Sequence, residues 1–152
     1  MIKAAAIEAP ASEHSGVLRR IQEILGAQRL RTDRDVVRLV EQRLSSRAID
    51  ALRDAGVTDE EVYSLIVPRR TLTHRRARRE ALSRDESDRV VRVARVVALT
   101  QEVFGDRGRG WKWLRDAKRH FQGRTPLNML ATEAGARLVE ELLYRIDDGM
   151  AA

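Results

Sequence analysis

The feature of this chain that most limits its possible folds is a series of helix-start and helix-stop signals at short intervals along its 152 residues. Thr58 with Glu61, and Ser83 with Glu86, stand in capping-box spacing, where each side chain satisfies the other residue's free backbone amide. Thr32 precedes Asp33 and Asp35, acids placed where the helix dipole favours them. Thr125 precedes Pro126, which suits a first helical turn, and Thr132 and Glu133 open a last helix. Gly26, Gly56, Gly105 and Gly123 are the matching stops, because glycine takes left-handed backbone without a Cβ clash.

Between these signals the apolar residues recur at helical spacing. Val17, Leu18, Ile21, Ile24 and Leu25 share one face; Val36, Val37, Val40 and Leu44 are expected to be buried in the next helix. Ser46 is expected to cap a third helix carrying Ile49 and Leu52, and Val62, Leu65 and Ile66 mark a fourth. Pro68 opens PRRTLTHRRARR. The helix after Ser83 turns Val90, Val93, Ala94, Val97 and Val103 inward and leaves Arg89, Arg92 and Arg95 as an exposed stripe. GDRGRG at 105–110 reads as a connecting loop rather than a phosphate cradle, since it lacks the Lys-Ser/Thr ending and a preceding strand. Trp111, Trp113 and Leu114 anchor another helix, Leu127, Met129 and Leu130 a short one, and Leu138, Val139, Leu142, Leu143 and Ile146 line the last. Hydrophobic residues are 43% of the chain but only six are aromatic, so the core is Leu, Val, Ile and Ala. The expected fold class is all-α.

Charge narrows the partners. The formal net charge of +6 is uneven: residues 1–70 carry a net +1, residues 71–124 a net +8, and residues 125–152 a net −3. A basic middle suggests a polyanion, and an acidic end a different partner. With no cysteine there is no disulfide or thiolate metal site, and His14, His74 and His120 are too dispersed for a ligand cluster. No metal site and no cofactor is expected. No run approaches the roughly 18 apolar residues of a membrane span, and residues 1–13 read as a flexible leader rather than a signal peptide, so a soluble, cytoplasmic protein is expected.

The short helices expected at 58–66 and 68–79 are joined too tightly to lie side by side, which is helix-turn-helix spacing. In such units the second helix presents its N-terminal residues to the major groove, here Arg69, Arg70, Thr71, Thr73 and His74, with Arg75 and Arg76 adding charge for the backbone. A solvated, arginine-coated helix in a plain bundle fits the same pattern. Trp111 and Trp113 among Arg109, Lys112, Arg115, Lys118 and Arg119 could stack on single-stranded nucleic acid, but such residues more often anchor a helix to its core. No catalytic cluster is legible, and Glu140 and Glu141 are expected on exposed helix faces. An enzyme is not expected.

From about residue 58 onward the chain resembles antitoxins of the Xre/MbcA/ParS type, its ParS-like members above all. The landmarks are PRRTLTHRR at 68–76, LSRDESDRVVRVARV at 82–96, EVFGD at 102–106, WL at 113–114, GRTPLNML at 123–130, TEAGARLVEELLYRI at 132–146 and Gly149. Residues 117–123, AKRHFQG, depart from the pattern, where relatives more often carry a Pro-Asn step and a second glycine. The resemblance implies a helix-turn-helix layer over residues 14–79 packed with a helical toxin-binding domain over residues 80–152. It implies a RES-type toxin as partner, with NAD as the toxin's ligand and the antitoxin covering the NAD pocket. Toxin contacts are expected at Trp113 and at Arg145, Ile146, Asp147, Asp148, Gly149 and Met150, and operator DNA is a second possible partner. A homodimer is also expected, because the helix at 84–103 is apolar around most of its circumference. The competing reading is a stand-alone helix-turn-helix regulator whose C-terminal part only dimerises.

Overall fold

The computed structural model describes residues 11–150, and no strand occurs among them. In chain order the helices are α1 (Ala11–Leu25), α2 (Asp33–Glu41), α3 (Arg47–Asp54), α4 (Asp59–Leu65), α5 (Arg69–Ala77), α6 (Arg84–Phe104), α7 (Arg107–Arg115), α8 (Pro126–Met129) and α9 (Glu133–Asp147), with a single 3-10 turn at Arg119–Phe121. α1 takes in residues 11–13 of the expected leader, and residues 1–10 lie outside the described ones.

Most starts and stops are where the local chemistry puts them. Thr58 with Glu61 and Ser83 with Glu86 form complete capping boxes, and so does Thr32 with Asp35. Thr125 and Thr132 cap α8 and α9 through their hydroxyls. Gly105 ends α6 at φ 61°. Two local expectations fail. Ser46 precedes α3 in helical conformation, so its hydroxyl makes no cap bond. The GDRGRG segment is not a loop: Asp106 accepts from the Arg109 amide and starts α7 at Arg107. Gly110 then lets α7 cross α6 closely, since a Cβ there would stand 3.2 Å from the Thr100 methyl.

The longest helix, α6, is the axis of the molecule. α1, α2, α3, α7 and α9 all pack against it. Its Val90, Val91, Val93, Ala94, Val96, Val97, Ala98 and Leu99 are buried, each valine stabilising the fold by about 1.5 kcal/mol or more relative to exposure. Leu18 and Ile21 of α1, Ile49 and Leu52 of α3, Leu114 of α7, and Val139 and Leu143 of α9 complete this core. The all-round apolar character of α6 is thus satisfied within one chain, which removes the premise from which a homodimer was expected. Other faces are less buried than their spacing suggests. No residue of α2 is buried, Val37 being 56% exposed, and Leu138 of α9 is 48% exposed.

The arginine stripe of α6 is also not free. Arg92 bonds Asp88 on its own helix and Glu133 on α9, and Arg95 reaches Glu133 and, at 2.6 Å, Glu140. Arg92 keeps only 11% of its side chain exposed. The expected exposed stripe is instead a charged seam between α6 and α9, and Glu140 faces inward onto it. Arg89 stays exposed and donates to the Ile66 carbonyl.

Candidate functional site

Two surfaces carry the residues singled out by the sequence. The first is α5 with its approach. α4 ends at Leu65 and α5 begins at Arg69, with Pro68 just before it and no side chain capping it. Leu72 is the one buried residue of α5 and pins the helix to the core. Opposite Leu72, the side chains of Arg69, Arg70, Thr71, Thr73, His74 and Ala77 surround a depression of about 920 Å³. Arg69, Arg70, Thr73 and His74 are exposed, and no described group pairs with either arginine. Thr73 donates its hydroxyl to the Arg69 carbonyl, so its oxygen still offers lone pairs outward.

Arg75 and Arg76 do not join that face. Arg75 turns back onto α6, where Nε and Nη2 bond both oxygens of Glu86 at 2.7 and 3.1 Å. Glu86 is itself 7% exposed and also accepts from the Ser83 amide. Arg75 is therefore a fastening between α5 and α6, not a free cation. Arg76 bonds Asp50 on α3 at 2.7 Å, which neutralises it in part. The Asp50 carboxyl is pushed up by burial, but Arg76 and Arg53 outweigh that and hold it below its ordinary value.

The second surface lies beyond α6. Trp111 is buried and donates its indole N–H to the Ala55 carbonyl at 3.0 Å, while Arg115 lies over its ring, 4.3 Å from the centroid. Arg115 also bonds both oxygens of Glu61 and the Gly56 carbonyl. Burial raises the Glu61 carboxyl, yet Arg115 and the Thr58 amide together leave it lowered. This cluster fastens α7 to the start of α4, and no sequence pattern announced it. Trp113 is half-buried, tilted against Phe104 at 5.7 Å with the Lys118 ammonium 5.3 Å above it. No ring contact, ion pair or hydrogen bond joins Trp113 to residues 145–150.

The end of α9 is closed rather than frayed. Gly149 has φ 71°, its amide donates to the Ile146 carbonyl, and the Met150 amide donates to the Arg145 carbonyl at 2.8 Å. That is the paired-bond closure in which a left-handed glycine lets the chain turn back on the last helical carbonyls. Ile146 is half-buried. Arg145, Asp147, Asp148 and Gly149 are exposed, and Met150 is 66% exposed.

Comparison with known proteins identifies both halves. Residues 35–95 match the family model of the antitoxin Xre-like helix-turn-helix domain, and residues 99–149 match that of the antitoxin Xre/MbcA/ParS C-terminal toxin-binding domain. An antitoxin Xre of Pseudomonas putida is 35% identical over 130 residues, 86% of this chain and 82% of its own length. This chain belongs to the Xre antitoxin family. A second antitoxin Xre, from Yersinia enterocolitica, is 33% identical over 85 residues, which are 55% of this chain and 57% of that one. For this Xre-family chain the two domain matches meet inside α6, between residues 95 and 99. α1 precedes both, yet it packs along α6 as closely as any family element. No helix among the described residues is long and apolar enough to cross a membrane.

Proposed function

We propose that this antitoxin neutralises a RES-type toxin by carrying the end of α9 into the toxin's NAD pocket, and that it represses its own operon through α5. The observation that supports the first half is the closure at Gly149. It leaves Asp147, Asp148 and Met150 exposed on a turn fastened by two backbone hydrogen bonds, which lowers the conformational entropy that docking would cost. The two aspartates are suited to cations that would otherwise hold NAD phosphates, and Met150 gives an adaptable apolar contact. Trp113 lies on a separate patch with Phe104 and Lys118, and there it contributes affinity rather than inhibition.

The test is a deletion of residues 147–152, assayed against the co-expressed toxin. The truncated chain is expected to co-purify with the toxin and to leave NAD consumption unsuppressed. Equal binding and equal inhibition would place inhibition on the face of the domain and overturn this reading. The second half rests on the free Arg69 and Arg70 at the start of α5, a face without acids.

A further inference from the structure

A second group of arginines gathers at the other end of α5. Arg43 and Arg47, flanking the α2–α3 turn, face Arg76, Arg79 and Glu80 across a depression of about 650 Å³ that also takes in Ser45, Ser46 and Ala81. The four cations are not equivalent. Arg76 is held by Asp50, Arg43 donates to the Leu82 carbonyl, and Glu80 is engaged by Arg75 and Arg78. Arg47 and Arg79 are exposed, and no described group pairs with either side chain.

The backbone under this depression is unusual. Three non-glycine residues among those described have positive φ, namely Arg43 at 61°, Arg79 at 55° and Gln122 at 55°. Two of the three line this one depression. Elsewhere the chain closes helices with Gly26, Gly105 and Gly149 in the same left-handed conformation, at no steric cost. At residues 43 and 79 it closes α2 and α5 with arginine, against a steric penalty that glycine would avoid. Strain kept at two positions that share a surface, both with the same charge, is better explained by a ligand than by the fold. For Arg43 the side-chain bond to the Leu82 carbonyl supplies a local reason. At Arg79 the left-handed turn closes α5, its amide donating to the Arg76 carbonyl and that of Glu80 to the Arg75 carbonyl, but this closure calls for no arginine side chain.

We infer that Arg47 and Arg79 form a phosphate-binding clamp for the DNA backbone, flanking the groove-reading face of α5. This rests on the reading that α5 enters DNA. The two depressions share no residue, and the unpaired cations stand at both ends of α5, Arg69 and Arg70 at its start and Arg79, with Arg47 across from it, at its close. Such contacts position a protein on a duplex without reading its sequence.

The experiment measures fluorescence anisotropy of two 30-base-pair duplexes, one from upstream of the protein's own gene and one of mixed sequence, with wild type, R47A/R79G and R69A/R70A. For R47A/R79G the affinity is expected to fall on both duplexes alike, by about eightfold per lost contact at 0.1 M salt, with the salt slope shallower by about 0.9 for each. The Arg79→Gly change alone should keep or raise the thermal midpoint, because it relieves the left-handed strain while removing the charge. R69A/R70A should weaken the two duplexes unequally. Wild-type affinity and salt slope in R47A/R79G would overturn the clamp while leaving DNA binding intact. A lower midpoint for Arg79→Gly would overturn it too, since the arginine would then serve the fold. A wild-type chain that binds neither duplex would remove the DNA reading and the clamp with it.

Discussion

Arg69, Arg70 and Arg75 lie within two turns of one helix, yet only the first two can meet a ligand. Arg75 spans to Glu86, and truncating it leaves a carboxylate that is nearly buried with half its partners gone. Arg75→Ala is expected to destabilise the protein by about 2 to 3 kcal/mol, below the range for fully buried pairs because the arginine keeps some exposure. Urea unfolding with parallel DNA titration separates the roles; unchanged stability with lost DNA affinity would make Arg75 a contact after all. Gly56 shows the same division between local and distant causes. Its φ of 114° fits the helix stop that the sequence suggests, but a Cβ there would also stand 2.5 Å from the Trp111 indole nitrogen. Gly56→Ala should therefore cost about 2 to 4 kcal/mol, more than backbone strain alone. A chemical denaturation midpoint within error of wild type would show that Trp111 can move aside. The stop was legible because helix closure is a neighbour effect. The indole was not, because it arrives from 55 residues further along the chain.

Among the elements, the helix starts were legible and the partners of their acids were not. Glu61 and Glu86 were expected as capping residues, and both are. Each also receives an arginine from a distant helix, Arg115 for Glu61 and Arg75 for Glu86, so one carboxylate both starts a helix and ties it down. The seam between α6 and α9 is not legible in the sequence for a related reason. A row of arginines along a helix has the same spacing whether it faces water or a row of glutamates, and only the packing of α9 decides. Likewise the valines of α2 have the right period, but the α2 face meets only one side of α6 and stays half open. These tied carboxylates set a pH dependence. Glu61 and Glu133 have folded values lowered below the usual 4.5, and Asp50 below 3.8, through their arginine partners. A lowered folded value contributes stability that is present above the unfolded value and is lost as pH falls through the folded one. Stability should accordingly hold from neutral pH down to about pH 5 and then decline with further acid. Arg115→Ala should start from lower stability at neutral pH and decline less steeply across the acid range, because Glu61 then titrates nearly alike in both states. Parallel declines for variant and wild type would remove Glu61 from the cause.

At the scale of the whole molecule, the order of helices and the all-α class were legible, while the division into two domains was legible only as a pair of family likenesses. Physically the two halves share α6. The boundary expected near residue 80 falls between α5 and α6, and the helix-turn-helix match continues past it to residue 95, well into α6. A cut at either place removes cover from buried valines: α1, α2 and α3 shield α6 from one half of the chain, and α7 and α9 from the other. Arg115 to Glu61, Arg107 to the Asp54 carbonyl and Arg20 to Glu102 then bridge the halves away from the axis. A core shared in this way cannot lose one half and keep the other, so unfolding should be a single cooperative transition. Both tryptophans lie in α7, so their fluorescence reports the toxin-binding half, while helical circular dichroism reports the whole chain. The two signals should fall at the same denaturant concentration. The fragment 99–152, which contains the entire toxin-binding match, should be unfolded when made alone, since it lacks residues 84–98 of the helix on which α9 packs. Tryptophan fluorescence that persists after helicity from the N-terminal half has gone, or a folded 99–152 fragment, would show that the family boundary is also a boundary of stability.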